Sequence, residues 1–199
     1  MQKIIKYTVL SALITTLSLQ GCKDSYFDDL SDNPNQVPVA TLSTLLATST
    51  YKAGNNNYLV GSLTAPYVQY IANPAANGAA DTYQTIDFSS TWDALYFAMA
   101  DANEMKKLAV AQGSSEYKGV ANVLIAYNLI MVNDLWGDAP FSQAFNIENL
   151  VPKYDKQQEV YNSAMALVDE AIVELTKTDS PVKLAATSDL IYGTTAATE

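Results

Sequence analysis

Apolar side chains recur every three or four residues through most of the chain, the period of a helix that buries one face. Leu42, Leu45 and Leu46 predict a short helix from Thr41 to about Tyr51. Val60, Leu63, Tyr67 and Ile71 predict a second, in which Pro66 kinks the helix or starts its second half. Asn55-Asn56-Asn57 between them reads as a loop tip. Residues 73–88 combine Asn-Pro and Asn-Gly with many alanines and Tyr83, a loop long enough to suspect a function. Trp92, Leu95, Tyr96, Met99, Met105 and Leu108 mark the next helix, capped by Ser90 or Thr91 and ended at Gln112-Gly113. Val120, Val123, Leu124, Tyr127, Ile130, Met131 and Leu135 mark another, which stops at Gly137. Asp155 ahead of Lys156-Gln157-Gln158 offers an N-cap carboxylate and a capping box. Behind it Tyr161, Ala164, Met165, Val168, Ala171, Ile172 and Leu175 form one apolar stripe over four turns. No stretch alternates with period two for long enough to demand a strand. The expected fold is all-α, with antiparallel helical pairs of the tetratricopeptide kind and long loops. The repeat signature itself is poor: Trp92-x-x-Leu95 begins it, and the spacing to Ala121 is only approximate.

The pattern is different at the N-terminus. Lys3 and Lys6 precede an apolar run from Tyr7 to Leu19 that is too short to span a membrane comfortably, and Gln20-Gly21-Cys22 follows. Residues 1–21 read as a signal peptide. They resemble a bacterial lipoprotein signal in which Leu19-Gln20-Gly21-Cys22 is the lipobox and Cys22 is the lipid-attachment residue. Acyl chains there, each CH₂ contributing about 0.8 kcal/mol, would hold the protein stably on a membrane. Residues 22–40 form the lipidated tether, broken repeatedly by Asp32-Asn33-Pro34-Asn35 and Val37-Pro38. Lys23-Asp24 and Asp28-Asp29 resemble the acid-rich export stretch of surface lipoproteins, although a solvated tether accounts for them equally well.

Charge narrows the function classes. The 199 residues carry 21 acidic and 11 basic side chains, a net charge of -10, and every basic residue is Lys. Removing residues 1–21 takes away Lys3 and Lys6 and no acid, so the charge falls from -10 to -12. Without His there is no imidazole base or His-ligated zinc, and without Arg no bidentate fork for phosphate. A chain this acidic is repelled by nucleic acid. The single Cys excludes a disulfide framework and multi-Cys metal sites. No metal or cofactor is expected.

Three tyrosines are the ligand-facing candidates: Tyr67 and Tyr70 near the Pro66 kink, and Tyr83 in the long loop. The plainer reading places Tyr67 in the core and the other two at the surface. Trp92 and Trp136 sit at helix boundaries on the apolar stripes and read as core. Asp134 and Asp138, four apart, could suggest a glycosidase pair, but they straddle a helix end, where stabilising the turn explains them better. Gly137 can take the left-handed conformation that closes the helix, Asp138 can bond free backbone donors, and Pro140 prevents the helix from resuming. The acidic spacing does not fit a calcium loop.

Several ordered motifs carry a family resemblance. The run Asp134-Leu135-Trp136-Gly137-Asp138-Ala139-Pro140-Phe141-Ser142-Gln143-Ala144 is followed by Pro152-Lys153-Tyr154-Asp155, then Gln157, Val160-Tyr161 and Asp169-Glu170-Ala171-Ile172. With the lipobox, Asn33-Pro34-Asn35 and the Thr91-Trp92-Asp93-x-Leu95-Tyr96 helix start, this resembles the SusD/RagB family, SusD-like branch, from Cys22 to about Gly193. The resemblance implies a non-enzymatic, surface-exposed outer-membrane lipoprotein on tetratricopeptide-like helices, which binds glycans or other nutrients, oligosaccharide or peptide. It would act as a lid on a SusC-like TonB-dependent barrel and use no cofactor. Residues 41–193 would then be the N-terminal part of the helical domain. Asp189-Leu190-Ile191-Tyr192-Gly193 runs into Thr194–Glu199 where the family continues, so 194–199 is an atypical end and a truncated chain is expected. The alternatives are a lipid-anchored glycoside hydrolase using paired carboxylates, and a truncated product without function.

Overall fold

The computed structural model describes residues 40–72, 74 and 77–193. The expected signal peptide, Cys22, most of the tether and the 194–199 end lie outside these residues. The described fold is all-α: α1 (Leu42–Tyr67), α2 (Ser89–Gln112), α3 (Ser115–Trp136) and α4 (Gln157–Leu175), followed by one 3₁₀ turn at Ala186–Ser188. No strand forms among the described residues, only an isolated antiparallel bridge between Ala139 and Asp155.

The first correction concerns α1, which is one continuous helix of 26 residues where two were expected. Asn55-Asn56-Asn57 lies in its middle and not at a loop tip. Polar side chains there do not break the helix because Asn56 turns inward: its Nδ2 donates to Asn128 Oδ1 at 3.0 Å and to Ala94 O at 3.2 Å. Asn128 in turn donates to Leu124 O at 2.8 Å, so this buried amide pair ties α1 to α2 and α3. Pro66 falls in the last turn and does not start a new segment. Three residues later the chain takes a positive φ at Gln69, which leaves the exposed Ile71 outside any helix.

The helix ends show local chemistry. Thr41 caps α1 by accepting from Thr44 N. The start of α2 is capped from outside the helix by Asp87 Oδ1, which accepts from Ser89 N at 2.8 Å; Ser90 and Thr91 are already helical. Gly113 closes α2 at φ 72°, as expected, and Ser114 at once caps α3 through Tyr117 N. The start of α2 meets the end of α3 where Trp92 contacts Trp136, so the two helices run antiparallel. Gly119 lets α4 come close on the other side of α3: a Cβ there would lie 2.5 Å from Leu175 Cγ.

The core is built from the inner faces of all four helices, with Leu46, Leu95, Met99, Met105, Leu129, Val132 and Val160 almost wholly buried. α3 is long and apolar enough to cross a membrane, but most of it is buried against its neighbours, so its apolarity is that of a central core helix. The stripe on α4 is wider than its contact: Val160, Ala164 and Ala171 are buried while Tyr161, Met165 and Ile172 are exposed. After α4 the chain folds back on the α2–α3 turn. Buried Glu116 accepts from Leu184 N at 2.6 Å and pairs with Lys183, and Ser114 Oγ donates to Val182 O at 2.7 Å.

Candidate functional site

With the helices antiparallel, the end of α1, the start of α2, the end of α3 and the start of α4 meet at one end of the bundle. The two long connections, 68–88 and 137–156, cap that end. Gly137 leaves α3 at φ 78° and ψ -110°, a positive φ but not the left-handed helical cap expected, and its N–H donates to Asn133 O at 2.9 Å. Asp138 then reaches the next helix: Oδ1 accepts from Gln157 N at 2.9 Å and Oδ2 pairs with Lys156 Nζ at 2.7 Å. It therefore satisfies a free amide at the start of α4, work that the sequence assigned to Asp155. The N-cap of α4 is Lys156, one residue later than expected, and Glu159 Oε2 accepts from the Lys156 amide at 3.2 Å.

Asp155 is committed elsewhere. Its backbone exchanges two hydrogen bonds with Ala139, and its buried carboxylate accepts from Ser142 N (2.6 Å), Ser142 Oγ (2.7 Å) and Phe141 N (3.0 Å), with Lys153 Nζ at 3.1 Å. Burial pushes this carboxyl up, but the Ser142, Lys153 and Phe141 donors together outweigh it and hold the pKa at about 2. The loop is thereby pinned on both sides of Tyr154.

Tyr154 stacks beside Trp92, with centroids 6.4 Å apart and planes 22° from parallel. Trp136 meets Trp92 edge to face at 5.1 Å and 88°, and Tyr96 lies 4.7 Å from it. The Tyr96 hydroxyl donates to Pro140 O at 2.8 Å, and burial pushes its pKa well up. Trp92 and Trp136 are thus half-buried: they pack against the core and also wall a cleft. With Phe88, Asp87 and Asp138 they enclose a cleft of about 470 Å³ that opens to solvent. Both carboxyls are held below the usual range, Asp87 by the amide and hydroxyl of Ser89, Asp138 by Lys156 and the Gln157 amide. They accept hydrogen bonds at neutral pH and are unsuited to donating a proton as a glycosidase acid must. Asp134 is exposed and joins no hydrogen bond with Asp138.

An apolar cavity of about 320 Å³ adjoins the cleft, walled by Val60, Leu63, Tyr67, Phe88, Leu135 and Trp136. Tyr67 is half-buried on its edge, its hydroxyl donating to Gln84 O at 2.9 Å and its ring 6.3 Å from those of Tyr83 and Phe88. The structure therefore brings Tyr67 and Tyr83 together and leaves Tyr70 87% exposed. Gln69 Nε2 also donates to the Tyr83 hydroxyl at 3.1 Å. Gln69 (φ 61°), Asn77 (65°) and Tyr83 (54°) in one loop and Phe145 (58°) in the other are the described non-glycine residues with positive φ. Such backbone strain concentrates at functional ends of folds.

A third recess, of about 410 Å³, lies at the opposite end beside Gly113 and Ser114. Its lysines, Lys118 and Lys177, are both paired with Glu174, and no aromatic ring lines it. No group of three or more His, Cys, Asp or Glu side chains gathers as a metal site among the described residues. The sequence missed Tyr154 as a cleft residue; its motif, Pro152-Lys153-Tyr154-Asp155, was visible, but nothing local says that Asp155 turns the tyrosine toward Trp92.

Among solved structures, the chain is similar to a SusD/RagB family protein from Bacteroides thetaiotaomicron VPI-5482, with a TM-score of 0.69 and 23% identity. The likeness covers 78% of this chain and 34% of the other, so the chain spans about a third of that protein's length. No curated protein matches it. Residues 34–197 match the SusD-like family described as "Starch-binding associating with outer membrane". With the helical fold, the ordered motifs and a match over most of its length in agreement, the chain belongs to the SusD-like family.

Proposed function

We propose that the chain is a non-enzymatic binding lipoprotein of the outer membrane, anchored through Cys22 and exposed at the cell surface. It captures glycans or other nutrients for uptake through a SusC-like TonB-dependent barrel. The observation that carries this reading is the corner formed by Trp92, Trp136 and Tyr154, with the ionised Asp87 and Asp138 at its rim. Indole and phenol faces suit the C–H faces of a sugar ring, and carboxylates accept from its hydroxyls. Nothing in the cleft is arranged to deliver a proton to a glycosidic oxygen, so the ligand leaves chemically unchanged. The family description supports both the starch-like ligand class and the association with the outer membrane.

Purification from native membranes tests the membrane half of the proposal. The expected result is that the chain fractionates with the outer membrane, carries acyl chains on Cys22 by mass spectrometry, and brings a TonB-dependent barrel with it. Recovery as a soluble, unacylated protein without a barrel would contradict it.

A further inference from the structure

We infer that the ligand of this cleft is a neutral glycan bearing an apolar substituent, such as an aromatic ring, which enters the adjoining cavity. This rests on the glycan reading above and narrows it. The cavity is walled by Val60, Leu63, Leu135, Phe88 and Trp136, and its volume of about 320 Å³ lies within the range of small-molecule sites. Two of its three side-chain hydroxyls already donate within the chain: the Tyr67 hydroxyl to Gln84 O and Thr64 Oγ1 to Val60 O at 2.8 Å. A sugar would leave most of its hydroxyls without partners there, whereas an apolar ring loses none and takes apolar walls out of water.

Two features join this cavity to the cleft and set the charge of what spans them. Phe88 and Trp136 line both spaces, so one ligand can lay its sugar against Trp92 and Tyr154 and send its substituent past Trp136. The cleft holds Asp87 and Asp138, both ionised, while no charged side chain lines the cavity. Lys156 offsets the charge of Asp138, and Asp87 still presents like charge to an acidic sugar but not to a neutral one.

The test is a ligand-observed NMR titration of the intact chain with methyl β-D-glucopyranoside, phenyl β-D-glucopyranoside, phenyl β-D-glucuronide and phenol. Phenyl glucoside is expected to bind at least about tenfold tighter than methyl glucoside, and tighter than the glucuronide by a similar factor. Leu63→Trp and, separately, Val60→Phe fill the cavity. Each should abolish the phenyl gain while leaving methyl glucoside affinity unchanged. Methyl glucoside binding with no phenyl gain, or a gain that survives both filled variants, overturns this inference and leaves the glycan reading standing. Equal binding of the glucuronide overturns the charge argument and the inference with it. Phenol binding with no added affinity from any sugar overturns the glycan reading as well, and no binding by any probe overturns the inference.

Discussion

Trp92 is in ring contact with Tyr96, Trp136 and Tyr154, and only the first of these neighbours is legible in the sequence. Tyr96 lies four residues on, one turn of the same helix. The other two arrive from separate segments, and what delivers Tyr154 is the carboxylate of Asp155, whose hydrogen-bonded neighbours lie 13 and 14 residues before it. From the sequence Asp155 looked like a helix cap, since an Asp three residues ahead of a Gln fits that pattern well. It was legible as a residue with a backbone task but not which backbone it serves. Asn56 misled in the same way: three consecutive asparagines suggest a loop, and only the arrival of Asn128 explains a buried one. Asp155→Asn keeps the size and removes the charge that holds Ser142, Phe141 and Lys153. It should lower unfolding stability by about 2 kcal/mol in a denaturant titration and weaken ligand affinity as Tyr154 leaves Trp92. An unchanged unfolding midpoint would show that the carboxylate does not pin the loop.

At the scale of the elements, the periodicity placed α2, α3 and α4 because each keeps one apolar face against the others. It split α1 in two because the polar middle of that helix is matched by tertiary partners rather than by solvent. The packing of α3 on α4 depends on Gly119. Alanine there gains about 1 kcal/mol of helix propensity but drives a methyl into Leu175, a strain of about 1–3 kcal/mol. The second effect wins, so Gly119→Ala should lower the melting temperature; a rise would mean that the helices are not held this close. An ion network joins α4 to both α2 and α3. Lys118 pairs with Glu170 and Glu174, Lys106 with Glu170, and Lys177 with Glu174. Lys118, and then Lys106, hold the Glu170 carboxyl down at about 2, and Lys118 with Lys177 lowers that of Glu174. Folded values below the ordinary carboxyl value of 4.5 mean that this stabilisation is full above that pH and is lost as pH falls toward about 2. The Lys118 ammonium, raised chiefly by Glu170, contributes below its ordinary 10.5 and loses its effect as pH rises through the higher folded value. The melting temperature should therefore fall steeply between pH 4.5 and 2, and Lys118→Met should flatten that slope. An identical slope in the variant would remove the network from the account.

At the scale of the whole molecule, the two long loops and every strained non-glycine residue described gather at the bundle end that holds the aromatic cleft. The opposite end holds an ion network and a tail that folds back. This division of labour was partly legible: the loop at 73–88 stood out by its length, and the motif around Gly137 by its order. The convergence of both loops at one end follows only once the helices are known to be antiparallel and their lengths fixed. The family is described as starch-binding and associating with the outer membrane, and the glycan binding proposed for this chain rests on the rings and acceptors of the cleft. Calorimetric titration of the intact chain with maltooligosaccharides and a panel of other neutral glycans, repeated with Trp92→Ala, tests that account most directly. It predicts saturable binding of at least one glycan, recovered intact, and a loss of about thirtyfold in affinity on removing the indole. Binding that is indifferent to Trp92→Ala, no binding of any glycan, or a ligand recovered cleaved would contradict it.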